Sequence, residues 1–482
     1  MLKKVFVAIM AVFILGSSWF IYYFFLANTP ATVNKDPMLI LDVTQLNPLR
    51  VQQVIVPTSE QQIHQAILDN SGPVSIGGGR FSQGGHTAHA QGIQLDMRKY
   101  NQVLQFDAKR KQIRVQAGIT WRDLQEFIDP ANLSVQVMQT YANFTVGGSL
   151  SVNAHGRYIG QGALVHSVLA LRLLLADGRV LDLSPTSQPE IFYAVIGGYG
   201  GLGVILDVSL QLTDNVKVKR DHIDLPASEY PAWFAKEIRN NPDVVFHNAD
   251  LFPPEYQEIR AVSWRKTDLP VTVEARMHPR QQDYRLNARL ADFVADYATG
   301  KWLRQHVFEP MVYQQPAVHW RNYEASYDVA ELEPASRAAT TYALREYFVP
   351  VEKFPEFTRL MSEIFQRYHV NVLNVSIRHA KPDHHTVLSW SPEEVFAFVV
   401  YYRQGTDQQS QAEVDEWSRA MIDAALSVGG RYYLPYQPSA TPSQFAKAYP
   451  GLEKFRTLKQ QLDPTNRFSN SFWQKYLSAE LK

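Results

Sequence analysis

The chain opens on an uncharged, largely apolar run from Val5 to Ala27, set behind Lys3 and Lys4. At about 1.5 Å per residue such a run spans a hydrocarbon core of roughly 30 Å. Trp19, Tyr22 and Tyr23 stand toward its far end, where aromatic rings favour a membrane interface. A cleaved signal peptide is the competing reading, but its apolar region is shorter and ends in a small-x-small site. Here Phe24, Phe25 and Leu26 crowd that end, so the pattern predicts an uncleaved, single-pass signal-anchor over 5–27. The two lysines predict a cytoplasmic N-terminus. The globular region would then be periplasmic or otherwise extracytoplasmic, with the lipid bilayer as a partner.

From Gln52 the pattern reads strand, helix, strand. Val54, Ile55 and Val56 end at Pro57, and Ser59 with Gln62 forms a capping-box signal for a helix through Ile63, Ala66 and Ile67. Val74 and Ile76 then lead into Gly77-Gly78-Gly79-Arg80-Phe81-Ser82-Gln83-Gly84-Gly85-His86. So many glycines exclude a helix or an ordinary strand and allow close backbone approach. Exposed N–H groups in such a turn form an anion nest, which fits a loop wrapped on a pyrophosphate. A flexible surface turn is the alternative. The strand entering the loop, and the one following at Ile93 and Leu95, favour the first reading.

Alternating strands follow at Val103–Phe106 and Gln112–Ala117, then a Thr120-capped helix through Leu124 and Phe127. Asn143 to Ser149 reads as a second glycine turn, continued by Asn153, His155 and Gly156. Val168–Leu175 and Val180–Leu183 flank an Asp177-Gly178 hairpin turn. Gly198-Tyr199-Gly200-Gly201-Leu202-Gly203 matches the letters of the dinucleotide fingerprint GxGxxG. That fingerprint needs a strand before it and a helix after it. Here Pro189–Ile196 reads as helix and Val204–Leu212 as strand, so the order is reversed and a nicotinamide fold is rejected.

Composition narrows the chemistry. Lysine plus arginine and aspartate plus glutamate number 47 each across 482 residues, and no basic stripe marks a nucleic-acid partner. The chain has no cysteine, which removes disulfides, thiolate catalysis and thiolate metal sites. Redox chemistry would need a bound cofactor. The Asp383-His384-His385 cluster lacks further ligand spacing, so no metal site is predicted.

The glycine loop, the turn Thr145-Val146-Gly147-Gly148 and the strand entry Gly203-Val204-Ile205 together resemble the vanillyl-alcohol-oxidase type of FAD-binding domain. The resemblance covers roughly 46–212 and resumes at the C-terminus. It implies an α+β fold: a two-subdomain FAD-binding domain under an α+β substrate cap. It also implies that FAD contacts Ile76 through His86, Thr145, Gly147, Gly148, Asn153, His155, Gly156, Gly203, Val204, Ile205 and Asn470. Arg345 to Pro350, Val375 to Arg378 and the tail Asp463 to Asn470 resemble aldonolactone and alditol oxidases. Gly429 to Tyr433 and Tyr449-Pro450 look closer to the decaprenylphosphoryl-ribose 2-oxidases, which act on a lipid-linked sugar. Many relatives place a flavin-linked histidine after the first glycines. This chain has Arg80, which points to noncovalent FAD, with His86 the candidate if the bond forms in a shifted loop. Tyr432 to Tyr436 stand where the lactone and alditol oxidases carry a His-Trp element.

The resulting domain expectation is an anchor over 5–27, an FAD-binding domain over 38–215, a cap over 216–428 and a returning segment over 429–482. Within the cap, Trp264 with Val271, Val273 and Ala275 suggests sheet, Arg285–Tyr297 and Pro350–Ile364 suggest helices, and 392–404 reads as helix or strand. Arg378 sits on an alternating strand with its side chain opposite that of His379. A surface ion pair is its bland reading; the resemblance implies a cation beside the flavin. Arg403, Tyr347 and Tyr436 are further catalytic candidates, each with a surface or core role as the alternative. The expected activity is oxidation of a hydroxyl of a sugar, polyol, aldonolactone or lipid-linked sugar, with dioxygen or a quinone as acceptor. A flavin-dependent double-bond reductase and a cofactor-free binding protein are the alternatives.

Overall fold

The computed structural model describes residues 36–280, 282–334 and 336–477. Its first domain is built on two sheets. Parallel strands Gln53–Ile55, Ile93–Asp96 and Val74–Gly77 form a small sheet in that spatial order. The helix Glu60–Asp69 makes the parallel crossover. Ser59 caps it by accepting from the Gln62 amide, but the Gln62 side chain accepts from the Thr58 amide at 2.7 Å rather than closing the box on Ser59.

The second sheet is antiparallel. Its strands run Val180–Leu183, Val168–Leu174, Val204–Asp214, Gln112–Gln116 and Val103–Asp107, with Leu133–Val135 pairing the end of Val204–Asp214. Thr120 caps the helix Trp121–Ile128 through the Asp123 amide. The stretch read as a second glycine turn is a short helix, Val146–Ser151. The Thr145 hydroxyl accepts from the Gly148 amide at 3.3 Å, and Gly147 lies so close to Ala117 that an added Cβ would meet the Ala117 Cβ at 2.8 Å. A hydroxyl cap outweighs the poor helix propensity of two glycines here.

The cap is an eight-stranded sheet ordered Val318–Trp320, Lys217–Pro226, Glu258–Lys266, Val244–Leu251, Asn371–Ala380, Val395–Gly405, Thr340–Pro350 and Arg431–Tyr432. Val395–Gly405, whose pattern did not choose between helix and strand, lies between two long strands. It is covered on both faces, so alternation is lost at its start. Helices Phe354–Arg367 and Gln408–Ser427 cover the outer face. Phe357 and Met361 are fully buried there, each stabilising by about 1.5–3 kcal/mol. The segment 271–275 forms no strand. It touches the sheet edge through Thr272, whose amide donates to the Val318 carbonyl at 2.9 Å.

The transmembrane expectation is corrected. Among the described residues no helix is long and apolar enough to cross a membrane, and the run 5–27 lies outside the described residues. Over the described residues the architecture is α+β without a spanning helix. The signal-anchor, the bilayer partner and the extracytoplasmic placement are not carried forward.

Candidate active site

One large cleft lies between the first domain and the cap. Its cavity volume is ≈ 230 Å³. Its floor is glycine backbone. The loop Gly77–Gln83 follows the strand Val74–Gly77, and Arg80 takes the left-handed conformation at φ 62° that turns the loop over. A Cβ on Gly78 would fall 2.1 Å from the Thr145 hydroxyl, so the loop must be glycine where it crosses the short helix. The amides of Gly79, Phe81 and Ser82 make no hydrogen bond among the described residues. They are free to receive the oxygens of a diphosphate, an observation of this chain that fits FAD.

Gly198–Gly203 forms a second part of the floor between the helix Pro189–Val195 and the strand Val204–Asp214. This is the reverse of the dinucleotide fingerprint order. Asn470 returns from the C-terminus, lines the cleft and donates to the Tyr199 carbonyl at 3.0 Å.

The roof is the inner face of the cap sheet. Tyr342, Leu344 and Glu346 alternate along one strand, Tyr401 and Val399 along the next, and Arg378 comes from the third. Register explains the grouping: Glu346 and Ser376 both pair with Val399, and Arg378 pairs with Ala397, so these side chains share one face. The Arg378 Nε is buried and has no hydrogen-bond partner among the described residues. Around Arg378 stand tyrosines. Burial holds the Tyr141 and Tyr436 hydroxyls well above the usual phenol range, and the Arg378 charge opposes that shift in both. Burial also raises Glu331, behind Tyr141, to about 7.

Most of the expected cofactor contacts come together. Ile76 to Gln83, His86, Thr145, Gly147, Gly148, His155, Gly203, Ile205 and Asn470 line the cleft, with Arg378 and Tyr436 opposite. Others do not reach it. Gly84 and Gly85 pack the loop against Tyr436 and Ser471. Asn153 donates to Asp383 at 3.0 Å and accepts from the Val165 amide. Gly156 abuts the Met138 carbonyl, and Val204 belongs to the core under the parallel sheet. Tyr347 is one residue out of phase with the roof and packs on Phe357 on the opposite face. Arg403 has the right phase but lies beyond the rim, paired with Asp296 and bonded to Thr340 at 3.1 Å.

Arg80 lines the cleft but is drawn back by Gln94 at 2.6 Å and Asp96 at 3.1 Å. His86 stacks on Phe472, and its Nε2 lies 2.8 Å from the Leu434 carbonyl. A carbonyl only accepts, so Nε2 carries the hydrogen; Nδ1 is buried without a partner. Burial lowers the ring to about 4.

Glu346, Tyr433, Tyr141 and Tyr199 line the cleft without having been singled out. Glu346 was legible: it continues the Tyr342, Leu344 alternation. The three tyrosines come from irregular segments, where no period marks a facing side.

Comparison with known proteins agrees with this geometry. Residues 51–184 match the family described as FAD binding domain, and residues 251–476 match that described as D-arabinono-1,4-lactone oxidase. The L-gulonolactone oxidase of Mus musculus is 26% identical over 441 residues, covering 87% of this chain and 93% of its own length. The decaprenylphosphoryl-beta-D-ribose oxidase of Mycolicibacterium smegmatis is 22% identical over 414 residues, covering 83% and 88%. The mitochondrial L-galactono-1,4-lactone dehydrogenase of Brassica oleracea is 32% identical over 114 residues, 24% of this chain and 19% of its own. With an FAD-binding domain below and a lactone-oxidase-like cap above one shared cleft, this chain is an FAD-dependent oxidoreductase whose FAD-binding domain is of the vanillyl-alcohol-oxidase type and is related to those of the aldonolactone oxidases and the decaprenylphosphoryl-ribose oxidases.

Proposed function

We propose that the chain oxidises a carbon–hydroxyl group of a sugar-derived substrate, an aldonolactone or polyol in the first instance, with FAD held noncovalently. The observation that carries this reading is the convergence of Arg378 and Tyr436 on a cleft whose opposite wall is the glycine floor. Bound FAD supplies a two-electron hydride acceptor.

The chain supplies the rest. The free amides of Gly79, Phe81 and Ser82 hold phosphate oxygens. Arg378, with its Nε unpartnered among the described residues, offers donors to an oxygen that gains negative charge during the reaction. Tyr436 presents a hydroxyl to the substrate. The cap sheet excludes water from above, which strengthens both interactions. The engagement of His86 Nε2 by Leu434, with Nδ1 sealed in the protein, supports noncovalent binding.

The test is an anaerobic screen of aldonolactones, polyols and polyprenyl sugar phosphates, read by bleaching of the bound flavin. Bleaching by an aldonolactone or polyol supports the reading; bleaching by the polyprenyl sugar alone replaces its substrate class. No bleaching by any of them defeats it. Admitting dioxygen afterwards separates an oxidase, which recovers its colour rapidly, from a dehydrogenase.

A further inference from the structure

We propose that Glu346 is a positioning residue which fixes Tyr436 as a hydrogen-bond acceptor toward the substrate and stores the proton the reaction releases. The inference rests on the oxidation of a carbon–hydroxyl group argued above.

Three chain segments meet at this carboxylate. His155 comes from the turn after the helix Val146–Ser151, Glu346 from the cap strand Thr340–Pro350, and Tyr436 from the loop after Arg431–Tyr432. All three line the cleft. The Glu346 side chain is 2% exposed. One oxygen accepts from the Tyr436 hydroxyl at 3.1 Å. The other lies 2.6 Å from His155 Nε2, in ion-pair range, yet not aligned as a hydrogen bond, and it has no hydrogen-bond partner among the described residues. The Glu346 carbonyl accepts from the Tyr433 amide at 2.9 Å, which anchors the C-terminal loop to the cap strand.

The polarity of the contact follows from the inventory of donors. An ionised carboxylate only accepts, so the single Tyr436 hydroxyl hydrogen is committed to Glu346. The phenolic lone pairs are left for a donor in the cleft, such as a substrate hydroxyl. A buried carboxylate is costly unless its oxygens are bonded. The oxygen that already accepts from Tyr436 can take the Tyr436 proton along the existing hydrogen bond, without a rearrangement of its neighbours.

The step balances in atoms and electrons. FAD, held by the glycine floor, would supply the two-electron acceptor for the substrate C–H hydrogen and its electron pair, leaving the carbon–oxygen double bond. The substrate O–H proton passes to the Tyr436 oxygen as the Tyr436 proton passes to Glu346. Tyrosine is regenerated and the carboxylate becomes a carboxylic acid. Burial, which holds the Tyr436 phenol well above its usual range, favours this concerted transfer over a free phenolate.

The experiment uses the full chain loaded with FAD and the variants Glu346→Gln, Tyr436→Phe and both together. Glutamine keeps the shape but offers an amide N–H to Tyr436 and cannot store the proton. The expected result is retained flavin, substrate-driven bleaching slowed about 100-fold, a changed pH profile, and a double variant no slower than the worse single one. Wild-type rate and pH profile in Glu346→Gln, or losses that multiply in the double variant, would overturn the proposal. If Glu346→Gln does not fold, Tyr436→Phe decides alone, and an unchanged rate and profile there overturn it. A second readout needs no substrate: the pH dependence of the bound flavin's midpoint potential shifts in Glu346→Gln. An unchanged curve overturns the role of Glu346, whereas a wild-type protein bleached by no substrate counts against the carbon–hydroxyl reading instead.

Discussion

Lys459 Nζ donates to the carbonyl oxygen of Gly201 at 2.7 Å. The same ammonium reaches the Phe468 carbonyl at 2.7 Å and the Asp463 carboxylate at 2.6 Å. Lysine and aspartate are both buried. The helix Leu452–Leu462 is thereby tied to the glycine floor of the cleft. The C-terminal segment braces the floor of the cleft even where it does not line it.

Replacing this lysine tests the tie. Lys459→Met leaves Asp463 buried without its cation, so unfolding in urea should show a loss of about 3–5 kcal/mol. FAD retention should fall with it. A loss below about 1 kcal/mol with unchanged flavin content would show that the tie is dispensable.

The close approach at Gly78 makes a second prediction. An added Cβ would sit 2.1 Å from the Thr145 hydroxyl, and neither the loop nor a capping threonine can give way cheaply. Gly78→Ala should cost about 1–3 kcal/mol of stability and weaken FAD binding, measured by titration of the stripped protein. Gly160 has nothing within 4 Å of its Cβ position but a φ of 76°. Gly160→Ala should therefore cost backbone strain alone and leave FAD affinity unchanged.

The two arginines proposed from sequence should behave differently. Arg378→Ala should keep FAD and lose roughly 10²- to 10³-fold in the rate of substrate-driven bleaching, as when one charge-stabilising donor is removed. Arg403→Ala removes a rim pair to Asp296, contributing about 0–1 kcal/mol, and should bleach at close to the wild-type rate. Equal losses in both would contradict the placement of the catalytic cation.

Stability should fall in mild acid. Burial depresses His86 to about 4 and His247 to about 3. Both stay neutral in the fold while the unfolded chain protonates near pH 6.5. Their contribution is complete above that pH and is lost as pH falls toward the folded values. Glu331, raised to about 7 by burial, works in the opposite direction between about 4.5 and 7, but two histidines outweigh one carboxyl. Thermal midpoints should drop from pH 7 to pH 5, and His247→Asn should flatten that slope. A slope untouched by the substitution would show that other groups dominate.

Much of this architecture is legible in sequence where a period or a punctuating residue exists. The capped helices at Ser59 and Thr120 and the Asp177-Gly178 hairpin are local features, and they stand where the pattern puts them. The cap sheet's strand order depends on contacts between residues far apart in the chain, which no local pattern carries. Tyr347 illustrates a one-residue phase choice: its neighbours Glu346 and Phe348 face inward, and it faces Phe357. Arg403 shows that the right phase is insufficient when a strand runs past the rim of a site. Tyr141 and Tyr436 enter from irregular segments, and only the folded chain brings them beside Arg378.

The most direct measurement is the absorption spectrum of the purified chain before and after adding an aldonolactone or polyol under anaerobic conditions, followed by acid precipitation. The predicted result is a flavin band that bleaches on substrate addition and passes into the acid supernatant with FAD. A protein that stays colourless after incubation with FAD would contradict the central assignment.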